Sequence, residues 1–125
     1  MNIVECTIDR ERQLTVIRCV GDVDGPTVRA RILAFWPANP ETIDNNCLVD
    51  VRDYVGNLGY NDIRAIAMAW HEFAKGRDAG RRIAIVSRDR FAGLLVKVVA
   101  LLFNTRQFAL FHDVDDALRW LANRP

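Results

Sequence analysis

The sequence predicts an α/β protein built on a mixed β-sheet, with elements in the order β-β-α-β-α-β-α-β-α across residues 1–125. Three observations predict it. Short aliphatic runs alternate with stretches that repeat apolar residues at helical spacing, the pattern of βα units joined by right-handed parallel crossovers. The first two runs are separated only by a short polar segment, the mark of a hairpin, which adds an antiparallel edge. The chain's 125 residues are half hydrophobic, enough for one domain that buries a core without disulfides or a metal.

Ile3 to Ile8 alternates Val4, Cys6 and Ile8 against Ile3, Glu5 and Thr7. After the polar turn Asp9-Arg10-Glu11-Arg12, Gln13 to Val20 alternates Thr15, Ile17 and Cys19 against Leu14, Val16, Arg18 and Val20. Asp24-Gly25-Pro26 opens the first helix, with Asp24 as cap and proline at an early position. Val28, Ile32, Phe35 and Trp36 form its stripe, and Pro37 and Pro40 are expected to stop it before a polar loop from Ala38 to Asn46. Cys47 to Val51 reads as a central strand buried on both faces. Asp53 to Gly59 reads as a loop, and Asn61 or Asp62 as the next cap.

Ile63, Ile66, Ala67, Trp70, Phe73 and Ala74 mark one face of the second helix, closed by Lys75 and Gly76. Arg82 to Val86 is a further central strand. Asp89 is placed to cap a helix from Arg90 to about Phe103, apolar nearly all round. Gln107 to Phe111 is the last strand. Asp113 caps a final helix whose inner face is Val114, Ala117, Leu118 and Leu121.

Composition narrows the function classes. The net charge is +1, which argues against a nucleic-acid binder. All basic residues except Lys75 and Lys97 are arginine, spread along the whole chain, and this bias carries no functional weight. The Met1–Cys6 segment lacks a basic region followed by an apolar run, so no secretory leader is expected. The most apolar stretch, 91–103, is 13 residues long and holds Lys97, short of the roughly 20 residues of a bilayer span. Cys6, Cys19 and Cys47 are widely spaced, with no C-x-x-C and no neighbouring histidine, so they read as free thiols in a reducing, cytoplasmic setting. No catalytic residue, cofactor or metal ligand is assigned.

Three segments carry a family resemblance. Leu48-Val49-Asp50-Val51-Arg52-Asp53 looks like a hydrophobic-Asp-x-Arg strand end, Arg82-Ile83-Ala84-Ile85-Val86 like an R-x-A-[IV]-V strand, and 111–121 like an F-x-D-x-x-x-A-x-x-W-L closing helix. With the order of elements, they resemble the STAS domains of bacterial anti-sigma-factor antagonists. The chain is more closely similar to a SpoIIAA-like (STAS/Sec14-like) bacterial family of uncharacterised proteins. The resemblance implies a STAS-domain fold and a regulatory or protein-interaction role without enzymatic activity. In the antagonists, the loop after the central strand carries a serine that a partner kinase phosphorylates. Here that loop, 54–61, has neither serine nor threonine, and the chain's one serine is Ser87.

Ligands of open α/β sheets bind beyond the carboxyl ends of the strands. That rule selects a partner or ligand surface made of Arg52, Asp53, Tyr54, Asn57, Tyr60, Asn61, Ser87, Arg88 and Arg90. Arg52 is the anion contact in this reading, and a local ion pair with Asp53 or a neighbour is the plainer alternative. For Ser87 or Asp89, helix capping is the plainer role. A Ser87–His112–Asp50 grouping is geometrically conceivable at this edge, but no G-x-S-x-G elbow accompanies it. The helix 91–103 is too apolar for a sheet to cover on one side. Leu94, Leu95, Val98 and Leu102 are therefore expected to divide between core and an apolar interface, either a homodimer contact or the wall of a pocket for a small apolar, lipid-like ligand. Trp120 is a second contact point. Partners are accordingly a protein, a second copy or an apolar small molecule, with no nucleic acid and no membrane span.

Overall fold

The structure, a computed structural model, describes residues 1–89 and 92–123, and only the backbone of 92–96. Its elements are β1 (Ile3–Asp9), β2 (Leu14–Gly21), α1 (Gly25–Ala38), a 3-10 turn (Pro40–Ile43), β3 (Asn46–Tyr54), α2 (Tyr60–Ala74), β4 (Arg82–Val86), α3 (Ala92–Leu102), β5 (Gln107–Phe111) and α4 (Val114–Ala122). This is the predicted order, with the 3-10 turn added.

The sheet runs β1-β2-β3-β4-β5 in space. β1 and β2 pair antiparallel, and the other neighbours pair parallel. Each crossover moves one strand in the same direction. Right-handed connections therefore stack α1, α2 and α3 on one face, and α4 follows β5 onto the other. The strand order never reverses, so the sheet has no topological switch point of the kind that makes a crevice in doubly wound folds.

Strand alternation decides what each layer touches. Val4 lies opposite Cys19 and Cys6 opposite Ile17, so these side chains share the face under α1–α3. Val28, Ile32, Trp36, Ile63, Ile66 and Trp70 close that core from above. Leu14, Leu48, Ala84 and Val86 point the other way and meet Ala117 and Leu121 of α4. α4 begins as expected, with the Asp113 carboxylate accepting from the amides of Asp115 and Asp116.

Several boundaries differ from the sequence reading. α1 passes through Pro37 to Ala38. A proline in a final turn withdraws only one amide, and Asn39 compensates by donating its backbone amide to Trp36 O and its side chain to Phe35 O. α2 starts at Tyr60, and its cap is Gly59 instead of Asn61 or Asp62. Asp62 acts from the third helical position, accepting from the Gly59 amide at 3.4 Å. At the other end, Lys75 adopts the left-handed conformation at φ 51° one residue before Gly76. β3 continues to Tyr54, three residues past the expected end.

That extension contains a bulge. Arg18 pairs with Asp50, yet Val20 pairs with Asp53, so β3 holds one residue more than β2 between them. A one-residue insertion reverses which face later side chains take. Arg52 and Asp53 thus fall on the α4 face, while Tyr54, opposite Gly21, turns to the face that α1–α3 cover.

Candidate functional site

The sheet and the three-helix layer do not close on each other. Between them lies a cavity of about 400 Å³. Its floor is a set of cross-strand rows. Thr15, Cys47, Ile83 and Phe108 are in register near the amino ends of the strands, and Ile17, Val49 and Ile85 form the next row. Val28, Ile32 and Trp36 of α1 and Ile63, Ile66 and Trp70 of α2 form the roof, at helical spacing. Val99 and Phe103 close the side next to α3.

The inner end is deeply buried: Thr15 and Thr42 are each 2% exposed. Exposure rises toward the carboxyl ends of the strands, where Gly56 and Leu58 are half-buried and Asp89 is exposed. Among the described residues, the mouth therefore lies between the loop 55–59 and Asp89.

The loop at the mouth is strapped down. The Tyr54 hydroxyl donates to Val23 O at 2.7 Å and accepts from the Leu58 amide at 3.1 Å. Asn57 Oδ1 accepts from the Gly25 amide at 2.9 Å, satisfying an orphan donor of α1. Asp62 also pairs with Arg29 at 3.1 Å. Gly56 is required sterically, because a Cβ there would run into Val23 O and the Tyr54 ring. Burial raises the Tyr54 phenol above its usual value.

Two thiols line the cavity. Burial pushes Cys19 up to about 11 and Cys47 up to about 12, so both are neutral at physiological pH. Behind the inner end stands a buried charge pair. Arg106 donates through Nε to Asp78 Oδ2 at 2.9 Å, through Nη1 to Asn45 O at 3.1 Å and through Nη2 to Thr42 O at 3.0 Å. Its guanidinium stacks 4.5 Å from the Trp70 ring centroid. Asp78 Oδ2 also accepts from Trp70 Nε1 at 2.7 Å and Thr105 Oγ1 at 2.9 Å. Burial alone would raise the Asp78 carboxyl, but these bonds outweigh it and hold the group below its ordinary value.

The residues expected at the strand ends divide between two places. Tyr54, Asn57 and Ser87 belong to the cavity mouth or its strap. Arg52 binds Asp50 through two nitrogens, Nε at 3.0 Å and Nη2 at 2.9 Å, on the opposite face. Burial opposes the Asp50 charge, and the bonds from Arg52 more than offset it, leaving the carboxyl below its usual range. Arg88 pairs with Asp53 at 2.6 Å. Tyr60 and Asn61 are exposed at the start of α2. Arg90 lies outside the described residues, as do the side chains of Leu94 and Leu95. Val98 and Leu102 are half-buried, with Leu102 packed on the core, whereas the neighbouring Leu101 is 79% exposed. Trp120 is engaged within the chain, 5.6 Å from the Phe111 ring and 4.9 Å from the Arg82 guanidinium.

Ser87, His112 and Asp50 do not form a relay. His112 Nδ1 meets the Ser87 carbonyl at 2.9 Å, not its hydroxyl, which accepts from the Asp89 amide. Asp50 is held by Arg52. Among the described residues, no group of three or more His, Cys, Asp or Glu side chains is placed to hold a metal ion. No described helix is long and apolar enough to cross a membrane.

No family model matches the chain, and no curated protein matches it. A solved structure does: an uncharacterised protein from the DUF3478 family with a SpoIIAA-like fold, from Shewanella loihica. It superposes with a TM-score of 0.70, covering 97% of this chain and 95% of that one, at 18% identity. The chain therefore has a SpoIIAA-like fold, as the three sequence segments and the element order implied. A likeness at this identity is one of fold, and function has to be argued from the site.

Proposed function

We propose that this protein is a non-enzymatic binding module that holds one small apolar or amphipathic molecule between the sheet and α1–α3. The observation that carries this reading is the cavity of about 400 Å³. Protein interiors close-pack and leave few voids larger than a water molecule, whereas ligand pockets begin near 300 Å³ and are mainly apolar. The cavity's floor is Ile17, Val49 and Ile85 and its roof is aromatic and aliphatic. Native mass spectrometry of freshly purified protein tests the reading directly. An adduct of small-molecule mass that organic solvent extracts is expected. A bare chain mass, with nothing extractable and no apolar probe taken up, overturns it.

A second reading makes the loop at the mouth a surface for a protein partner. Val55 and Tyr60 favour it, at 74% and 57% exposure beside the strapped residues. Both readings agree if cargo in the cavity alters the loop that a partner reads. A partner captured by the wild type and lost by Tyr60→Ala supports this role, and equal capture by both refutes it. Cys6, Cys19 and Cys47 are free thiols, which suits a reducing compartment, and the cytoplasm is the proposed location.

A further inference from the structure

We infer that the ligand is an uncharged amphipath whose polar group, a hydroxyl or carbonyl, is received at the inner end of the cavity. The inference rests on the cavity being a ligand site and adds which chemistry it accepts. The inner end is the most deeply buried part of the cavity, and Thr15, Thr42 and Arg106 line it there, while the other polar lining side chains, Tyr54, Ser87 and Asp89, stand at the mouth. Thr42 lines the cavity there, and its Oγ1 has no hydrogen-bond partner among the described residues. Thr15 lines it too, and its Oγ1 accepts from Asn45 Nδ2 at 3.3 Å, a role that uses a lone pair and not the hydroxyl proton. A buried polar atom without a partner is a standing penalty, and a ligand hydroxyl or carbonyl relieves it.

The same end is unsuited to an ionised group. Arg106 is the cation nearest to hand, and its guanidinium is committed to Asp78 and to the carbonyls of Asn45, Thr42 and Ile43. Using it for a ligand carboxylate would strip Asp78 of its counter-charge in a buried site. The two thiols on the floor stay neutral, because burial holds their protons. A charged head moved into such surroundings loses its hydration without compensation.

Size sets a second limit. At roughly 30 Å³ per water in the liquid, the cavity's volume corresponds to about a dozen non-hydrogen atoms. That suits one medium-length chain or a compact ring system, and it excludes a two-chain lipid held whole.

The test titrates 1-decanol and decanoate into the protein at pH 8, where decanoate is ionised, and follows the fluorescence of Trp36 and Trp70, which line the cavity. Decanol is expected to bind at least about tenfold more tightly. Thr42→Val is expected to weaken decanol about three- to tenfold, the worth of one hydrogen bond, and to leave decanoate unchanged. Thr42→Ser, which keeps the hydroxyl, restores decanol binding and controls for folding. Decanoate binding as tightly as decanol, or a folded Thr42→Val with unaltered decanol affinity, overturns the inference while leaving the cavity a ligand site. If decanol, decanoate and the neutral probe naphthalene all leave the fluorescence unchanged, the cavity reading falls and the inference falls with it.

Discussion

Asp78 and Arg106 meet at 2.9 Å with their side chains 1% and 2% exposed, one in the turn after α2 and the other just before β5. The pair joins the roof of the cavity to the segment that leads into its floor, since Asp78 binds the Trp70 indole and Arg106 donates to the carbonyls of Thr42 and Asn45 just before β3. Removing one partner of such a pair leaves an uncompensated charge out of water. Asp78→Ala is therefore expected to lower stability by about 3–5 kcal/mol, read by urea denaturation.

The same carboxylate makes an acid-dependent contribution. Its folded value lies below the ordinary one near 3.8, so folding favours the ionised form. The stability it supplies is complete above about pH 4 and is lost as pH falls through the lower folded value. The difference in stability between wild type and Asp78→Asn should shrink as pH is lowered below 4. A difference that stays constant from pH 7 to pH 2.5 contradicts this.

At the alkaline end the thiols act in the opposite sense. Cys19 and Cys47 hold their protons to about 11 and 12, against about 9 for an ordinary thiol. Their contribution is full below pH 9 and declines as pH rises toward the folded values. Stability should therefore begin to fall above pH 9, and the fall should be smaller in Cys19→Ala/Cys47→Ala. In native protein at pH 8, half-buried Cys6 is expected to react first with a thiol reagent, and all three should react in denaturant.

The legible part of the fold was the part with a local signature. Alternation in β1 and β2 named the correct faces, and the stripe from Ile63 to Ala74 and the Asp113 cap appear as expected. The bulge in β3 was not legible, because Val51 and Arg52 look like any strand residues and the inserted position exists only relative to β2. It sends Tyr54 to the cavity and Asp53 to the far face beside Arg52, so a site read as one surface is two. Asp78, Arg106 and Thr42 were missed for a similar reason. They sit in turns, between 28 and 64 residues apart, and only the three-dimensional closure of the roof on the floor brings them together. The gathering of Thr15, Ile17 and Cys19 on one face was visible, but nothing in a sequence says that such a face is left partly uncovered.

Tyr54→Phe removes a hydroxyl that both donates and accepts. We expect a loss of about 1–3 kcal/mol from two broken bonds. Hydrogen exchange at the Leu58 amide should accelerate by more than global unfolding accounts for, because that amide loses its acceptor. Unchanged exchange at Leu58 would mean that the loop is held by Asn57 alone.

We propose that a homodimer contact through α3, one of the two readings of its composition, would centre on Leu101, whose side chain is exposed in the single chain. Leu101→Glu should fold with stability within about 0.5 kcal/mol of the wild type. Light scattering should then report a monomer where the wild type is a dimer. A wild type already monomeric at micromolar concentration refutes the expectation.

Spatial order following chain order also governs how the protein emerges from the ribosome. Chains are made amino end first, at about 5–20 residues per second, and every strand after the hairpin adds to the edge left by the one before it. Synthesis can therefore proceed as successive additions to a growing template, with no strand waiting for a later one to be inserted between it and its neighbour. The chamber is the exception. Its floor is incomplete until β5 arrives, and Arg106, which neutralises Asp78, is made 28 residues after its partner. At those rates Arg106 is made roughly 1.4 to 6 seconds after Asp78, so the pair that closes the inner end is among the last contacts the chain can form.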